Sequence, residues 1–125
     1  MDGHQFDSKI EAKYYEQLKW LKANKQIKSF RLQPRYLLQD KFKKNGKTYR
    51  KTEYIADFEI INLDGSIEVI DVKGVVTPVF LLKRKLFERL YMCRLTVLVH
   101  KVKYGGFIEL DEYYRLKRKE KKVNR

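Results

Sequence analysis

The sequence predicts an α/β (α+β) fold in the order helix, three strands, helix, strand. Three observations carry that expectation. Residues 8–24 combine helix-start signals with apolar residues at helical spacing. Residues 54–74 form a run rich in Ile and Val that reads as a tight hairpin. Thr77-Pro78 then opens a second helix, which separates the hairpin from a last apolar strand at 95–102. The chain has 125 residues, 43% of them hydrophobic, with nine Tyr and seven Phe. That is one domain, 1–125, with enough apolar surface for a modest core.

Ser8 and Glu11 have the spacing of a capping box, with Ser at the N-cap and Glu at N3. Behind them Ile10, Tyr14, Leu18 and Leu21 form one stripe, with Trp20 near it. The first strand is expected over Ile27–Gln39, where Phe30, Leu32, Tyr36 and Leu38 alternate and Pro34 marks an edge or a bulge. Residues 40–52 make a basic hairpin turned at Asn45-Gly46, the strongest short hairpin signal. The second helix runs from Thr77 as N-cap to about Cys93, with Val79, Leu82, Leu86 and Leu90 facing inward. The last strand is apolar on both faces, with His100 at its polar end and no role assigned to it. Gly105-Gly106 make a turn, and residues 109–125 a terminal helix or tail whose basic part is 113–125.

The hairpin 54–74 holds a contradiction. Ile67 and Val69 point one way and Ile70 and Val72 the other, which marks its second strand as central in a covered sheet. Yet Asp57, Asp71 and Lys73 are charged, and buried charge is costly unless it is paired or holds a metal. Asp71 and Lys73, two apart, share a face. Whether Asp57 joins them depends on the turn. A two-residue Asp64-Gly65 turn pairs Leu63 with Ser66 and sets Asp57 opposite Val72, on the wrong side. A three-residue turn, Leu63-Asp64-Gly65, pairs Asn62 with Ser66 and sets Asp57 opposite Asp71, with Gly65 as the left-handed residue such a loop needs. We expect the three-residue turn. Two converging carboxylates repel unless a proton or a cation lies between them, and oxygen ligands of this kind suit Mg²⁺ or Mn²⁺.

The charge balance points to the partner. Net charge is +13 and the isoelectric point is near 9.8, so a polyanion, most simply nucleic acid, is expected. Lys41, Lys43, Lys44, Lys47, Arg50 and Lys51 surround the Asn45-Gly46 turn, interleaved with Phe42 and Tyr49. They read as an arm that grips backbone. Lys83, Arg84 and Lys85 begin the second helix, where at least one is placed to reach a phosphate, and Lys117 and Arg118 belong to the basic tail. Cys93 is the only cysteine, so no internal disulfide forms and a reducing, cytoplasmic setting fits. No apolar run reaches the roughly 20 residues that cross a bilayer, no membrane partner is expected, and the first residues do not read as a signal peptide.

An Asp, a turn, then Asp-x-Lys on the next strand resembles the restriction-endonuclease-like, or PD-(D/E)xK, nucleases. Ala56 stands where that family usually has proline, and Asp71 where it usually has Glu. The element order is similar to that family's αβββαβ core, which implies a central mixed sheet flanked by helices. Phe6-Asp7-Ser8-Lys9, Glu11-Ala12, Tyr14-Tyr15, Gln33-Pro34, Ala56-Asp57-Phe58 and Asp71-Val72-Lys73-Gly74 look like a small phage and prophage family of unknown function. The spacing of Glu11, Asp57, Asp71 and Lys73 is similar to the phage endonuclease I type of Holliday-junction resolvase.

The resemblance implies a metal-dependent endodeoxyribonuclease of phage or prophage origin, working in a bacterial cytoplasm on branched DNA, as a homodimer. Asp57, Asp71 and the Val72 carbonyl would hold one or two Mg²⁺ (or Mn²⁺), and Lys73 would stabilise the transition state. Glu11 keeps two readings, a helix-capping residue or an acidic group that joins the metal directly or through water. Two other functions stay open. One is a nuclease for linear duplex ends or flaps. The other is a basic protein that binds nucleic acid without chemistry, and it leaves Asp57 and Asp71 unexplained.

Overall fold

The structure, a computed structural model, describes residues 9–123; the expected Ser8 cap lies outside them. The fold is of the mixed α/β class. Helix α1 (Lys9–Ala23) is followed by strands β1 (Ser29–Leu32), β2 (Arg35–Gln39), β3 (Phe42–Lys44), β4 (Lys47–Tyr49), β5 (Thr52–Ile55), β6 (Phe58–Ile61) and β7 (Ile67–Val72). Helix α2 (Pro78–Leu90), strands β8 (Arg94–Lys101) and β9 (Gly106–Glu109), and helix α3 (Leu110–Val123) complete the chain. The main sheet has the order β1-β6-β7-β8-β9. β7 is its central strand, antiparallel to β6 and parallel to β8. The sequence order α1, β1, β6, β7, α2, β8 reproduces the expected core, with the basic hairpin inserted between its first two strands.

The hairpin turn has the expected register. Ile61 pairs with Ile67 and Phe58 with Ile70, the Asn62 N–H donates to the Ser66 carbonyl (2.8 Å), and the Gly65 N–H donates to Asn62 (2.9 Å). Gly65 takes φ 87°, a conformation open to glycine at little cost. The Asp64 carboxylate accepts from the Ser66 backbone and hydroxyl (2.9 and 2.7 Å), which locks the loop.

The single first strand expected over Ile27–Gln39 is instead two strands in two sheets. β1 pairs with β6, and β2 with β5, in one continuous antiparallel register: Leu32 faces Phe58 and Arg35 faces Ile55. Between them the ribbon bends at Gln33-Pro34 on one strand and Ala56-Asp57 on the other. Pro34 has no N–H for the ladder, and Gln33 adopts φ 49°. The bend is held by Gln33 N–H to the Asp57 carbonyl (2.9 Å) and Ala56 N–H to the Pro34 carbonyl (3.1 Å). Within the β2–β5 pair the register shifts by a bulge between Leu37 and Gln39, and the β3–β4 hairpin continues the ribbon, with Phe42 opposite Tyr49.

Two cores lie on the two faces of the sheet. On one, Tyr15 and Leu18 of α1 pack against Phe58, Ile60, Ile70, Val72 and Leu98. On the other, Phe80 and Phe87 of α2 pack with Tyr36, Tyr54, Val69, Val97 and Leu110. α2 buries a different side from the one its leucines mark. Val79 (63%), Leu82 (57%) and Leu90 are exposed, only Leu86 of that stripe is half-buried, and the helix ends at Leu90, not near Cys93. The reason is the ribbon: the Tyr36 ring meets Phe87 edge-on at 5.0 Å, and Tyr54 meets both Phe80 and Phe87. Thr77 caps α2 as expected, its hydroxyl accepting from the Phe80 N–H (3.1 Å). Trp20, expected near the α1 stripe, is 61% exposed. The Gly105-Gly106 turn leads not straight to the last helix but into β9, an edge strand paired with β8.

Candidate active site

Asp71 lies at the end of the central strand and is fully buried. Its register partner across β6–β7 is the position of Asp57, one residue before β6. The bend at Ala56-Asp57 places the Asp57 carboxylate at the head of β7, where Oδ2 accepts from the Val72 N–H (2.7 Å). Lys73 leaves the sheet just after β7. Its N–H donates to the Leu98 carbonyl (2.8 Å), its Nζ lies 3.4 Å from Asp71 Oδ1, and 4.3 Å above the Phe80 ring. The fold therefore brings Asp57, Asp71 and Lys73 together on the face that α2 covers.

The electrostatics follow from that placement. Burial pushes the Asp57 carboxyl up to about 8, helped by the neighbouring Asp71 charge and by the hydrogen bond the two carboxyls share, with Glu11 adding a smaller repulsion. The Val72 N–H acts in the opposite direction. Glu59, on the next inward-facing position of the same strand, is the contrast. Arg31 holds it with two bonds of 2.9 Å and the Tyr36 hydroxyl adds a third of 2.5 Å, so its carboxyl is held below the usual range, chiefly by Arg31. Glu59 is a satisfied structural carboxylate, whereas in the Asp57–Asp71 pair the second negative charge is opposed by burial and by the first.

Glu11 is buried in the first turn of α1, which packs on β1 and β7. Its charge is felt at Asp57 as a small repulsion, so it lies within electrostatic range of the carboxylate centre. Tyr54 is a site residue that the sequence reading missed. Its hydroxyl donates to Asp71 Oδ2 and is itself pushed well above its usual range by burial and by the Asp71 charge. The sequence assigned it no role, and the pairing of β5 with β2 brings its ring to Asp71.

A cleft of about 220 Å³ opens beside this group, lined by Tyr54, Lys73, Thr77, Phe80 and Lys83 among others. Lys83 thus faces the centre. Arg84 is paired with Asp111 of α3 (2.6 and 3.3 Å) and joins two helices. Lys85 is exposed on α2, and Lys117 and Arg118 on α3. Lys41, Lys43, Lys44, Lys47, Arg50 and Lys51 are all exposed on or beside the β3–β4 hairpin, and Lys51 pairs with Glu53 (3.3 Å).

The donor set fits a hard divalent cation. Asp71 Oδ1 is buried without a hydrogen-bond partner, and Asp57 beside it is destabilised as an anion. Among the described residues no three His, Cys, Asp or Glu side chains converge closely enough to hold an ion by themselves. One or two carboxylates, completed by waters and a phosphate, is the ordinary way Mg²⁺ is held.

Comparison with curated proteins gives no match. A family model described as "Protein of unknown function (DUF1064)" matches residues 1–106. That span contains Glu11, Tyr54, Asp57, Asp71 and Lys73 and stops at the start of β9, so α3 lies beyond it. With the greater part of its length matched, the chain belongs to the DUF1064 family.

Proposed function

We propose that the protein is a Mg²⁺-dependent DNA endonuclease of the restriction-endonuclease-like kind, acting on branched DNA in the manner of a Holliday-junction resolvase. One observation carries the reading. Asp57 and Asp71 converge in a covered part of the sheet, and the Lys73 ammonium lies 3.4 Å from a buried Asp71 oxygen that has no hydrogen-bond partner. A protein that only coats nucleic acid has no use for this pair, because carboxylates there repel phosphate.

Asp57 and Asp71 would hold Mg²⁺ (or Mn²⁺), with the Val72 carbonyl and Glu11 adding ligands directly or through water. When bound, the ion supplies a Lewis acid that makes water a better nucleophile and neutralises charge on the phosphate. The Tyr54 hydroxyl fixes the Asp71 carboxylate. Lys73, held over Phe80, directs positive charge to the oxygens where negative charge grows as the water oxygen bonds to phosphorus and the bond to the leaving sugar oxygen breaks. Lys83, across the cleft, holds a non-bridging oxygen. Ile55 and Phe80 narrow the cleft around these groups.

Binding is backbone-directed. The β3–β4 hairpin continues the ribbon that carries Asp57; Tyr49 at its base is eight positions from Asp57, roughly 26 Å along the strand at about 3.3 Å per residue, and the lysines lie beyond it. That is most of one duplex turn, and contacts to backbone alone favour recognition by shape. Symmetric cuts across a junction need two centres, so we also propose a homodimer, with the uncovered apolar side of α2 available to it. A reducing bacterial cytoplasm, with a phage or prophage source, suits this work. No helix among the described residues is long and apolar enough to cross a membrane.

The test offers four-way junction, flap, linear duplex and single-stranded DNA to wild type and Asp71→Asn with Mg²⁺. Junction cleavage by wild type alone is expected. Cleavage of ends or flaps in its place moves the substrate to linear DNA, and binding without cleavage in both Mg²⁺ and Mn²⁺ removes the enzyme.

A further inference from the structure

A second basic site lies on the opposite face of the sheet from Lys73 and Lys83. It is a pocket of about 440 Å³ between α1, the end of β8 and the turn into β9, lined by Lys13, Gln17, His100, Gly105, Gly106 and Phe107. Lys13 Nζ approaches His100 Nε2 to 3.4 Å. The imidazole is oriented by the Phe107 ring, edge to face at 5.0 Å, and Phe107 is braced in turn by Tyr14 at 5.3 Å. Gly106 forms part of the pocket wall at φ 117°, and a Cβ there would stand 3.8 Å from His100 Nε2. The lining residues include an ammonium, an amide and an imidazole, but no carboxylate. A neutral imidazole accepts from the ammonium at this distance, and an anion entering the pocket meets both groups as donors, with no carboxylate in the lining to oppose it.

The pocket also has a fixed relation to the carboxylates. β7 and β8 are parallel, with Asp71 level with Val97 and Val72 level with Leu98. His100 therefore lies on the neighbouring strand, three residues past the level of Asp71, at the same end of the sheet. About 3.3 Å per residue and about 4.8 Å between strands put the two backbone positions roughly 11 Å apart. The basic hairpin and this pocket then flank the acidic centre from its two sides.

We propose that the Lys13–Gln17–His100 pocket binds a phosphate of the nucleic-acid backbone, at a second point on the same end of the sheet as Asp57 and Asp71. The choice of nucleic acid as the phosphate's source rests on the function proposed above; the pocket's preference for phosphate does not. Lys13 and His100 donate to the phosphate oxygens, and Gln17 donates its amide N–H at the rim. The site adds affinity without reading sequence, because phosphate carries no base information.

The experiment uses the full chain and two readouts. Side-chain NMR of the histidines is followed while inorganic phosphate is added to wild type and to Lys13→Gln. DNA affinity is measured against salt in Ca²⁺ for wild type, Lys13→Gln, and Lys13→Gln combined with His100→Asn. Phosphate is expected to move the His100 ring signals in wild type and much less in Lys13→Gln. The salt slope of the double variant is expected to shrink by about 0.9, the value for one lost phosphate contact. Lys13 is exposed, so its single variant keeps the test valid if His100→Asn disturbs folding. Unchanged slopes overturn the proposal. A phosphate response at His100 with unchanged DNA slopes also overturns it, since the pocket then takes free or terminal phosphate. Cleavage is scored separately: a reduced slope in a chain that cuts nothing keeps the pocket and removes the nuclease, and absence of DNA binding removes both.

Discussion

Asp57→Asn separates a carboxylate kept for function from one kept for stability. In the metal-free protein the Asp57 carboxyl is raised from 3.8 to about 8, chiefly by burial and then by Asp71. The folded state therefore holds this proton more tightly than the unfolded chain does. The stability it contributes is fully present below about pH 3.8 and is lost as pH rises through about 8, because in that window the unfolded chain binds fewer protons. At 1.36 kcal/mol per pH unit the full difference is about 6 kcal/mol, an upper bound. Solvent reaching the half-buried side chain reduces it to the order of 2–4 kcal/mol. Asparagine is neutral and close in shape, and its carbonyl oxygen keeps accepting from the Val72 N–H. Urea unfolding in EDTA at pH 5, 7 and 8.5 is expected to show the stability of Asp57→Asn relative to wild type rising steadily with pH, by a few kcal/mol between pH 5 and pH 8.5. Comparing the two proteins at each pH cancels the other titrating groups. Mg²⁺ is expected to restore wild type at pH 8.5, by the logarithm of its concentration over its dissociation constant, and to do nothing for the variant. Parallel pH profiles would refute the reasoning.

Two further outcomes test the surroundings of the centre. Tyr54→Phe removes the hydroxyl that donates to Asp71; a hydrogen bond to a charged group is worth about 2 kcal/mol, so cleavage is expected to fall roughly 30-fold with DNA affinity unchanged, and equal losses in both would make Tyr54 a binding or folding residue. Replacing Lys43, Lys44 and Lys47 with Ala removes three charges from an exposed hairpin; the salt slope for DNA binding is expected to shrink by about 2.7, at about 0.9 per phosphate, for all sequences alike, and an unchanged slope would mean the hairpin does not grip DNA.

Local chemistry made much of the candidate site legible. Gly65 selects the three-residue turn, the turn selects the register, and the register sets Asp57 opposite Asp71; each step involves neighbours within a few residues. Asn45-Gly46, with φ of 52° and 75°, and the Thr77-Pro78 helix start are local in the same way. A family likeness could then be attached to residues already placed on one face.

What the tertiary structure alone decided depends on surfaces that meet from distant parts of the chain. α2 is apolar around most of its circumference, so periodicity could not choose between the Val79-Leu82-Leu90 side and the Phe80-Phe87 side. The rings of Tyr36 and Tyr54 chose, by offering Phe80 and Phe87 a slot that aliphatic side chains do not fill as well. The bend that aims Asp57 at the head of β7 needs Gln33-Pro34 on a strand more than twenty residues away. The Arg84–Asp111 pair was not legible in the sequence, because Asp111 belongs to a helix that packs beside α2 only after folding. His100 carried no signal in the sequence, since a lone histidine at a strand end is usually exposed or structural. Lys13, from the first helix, reaches it across 87 positions of sequence. Hydrophobic pattern and turn chemistry are properties of short segments and can be read from them, whereas the choice of buried face and the meeting of charges are free-energy comparisons over the whole chain.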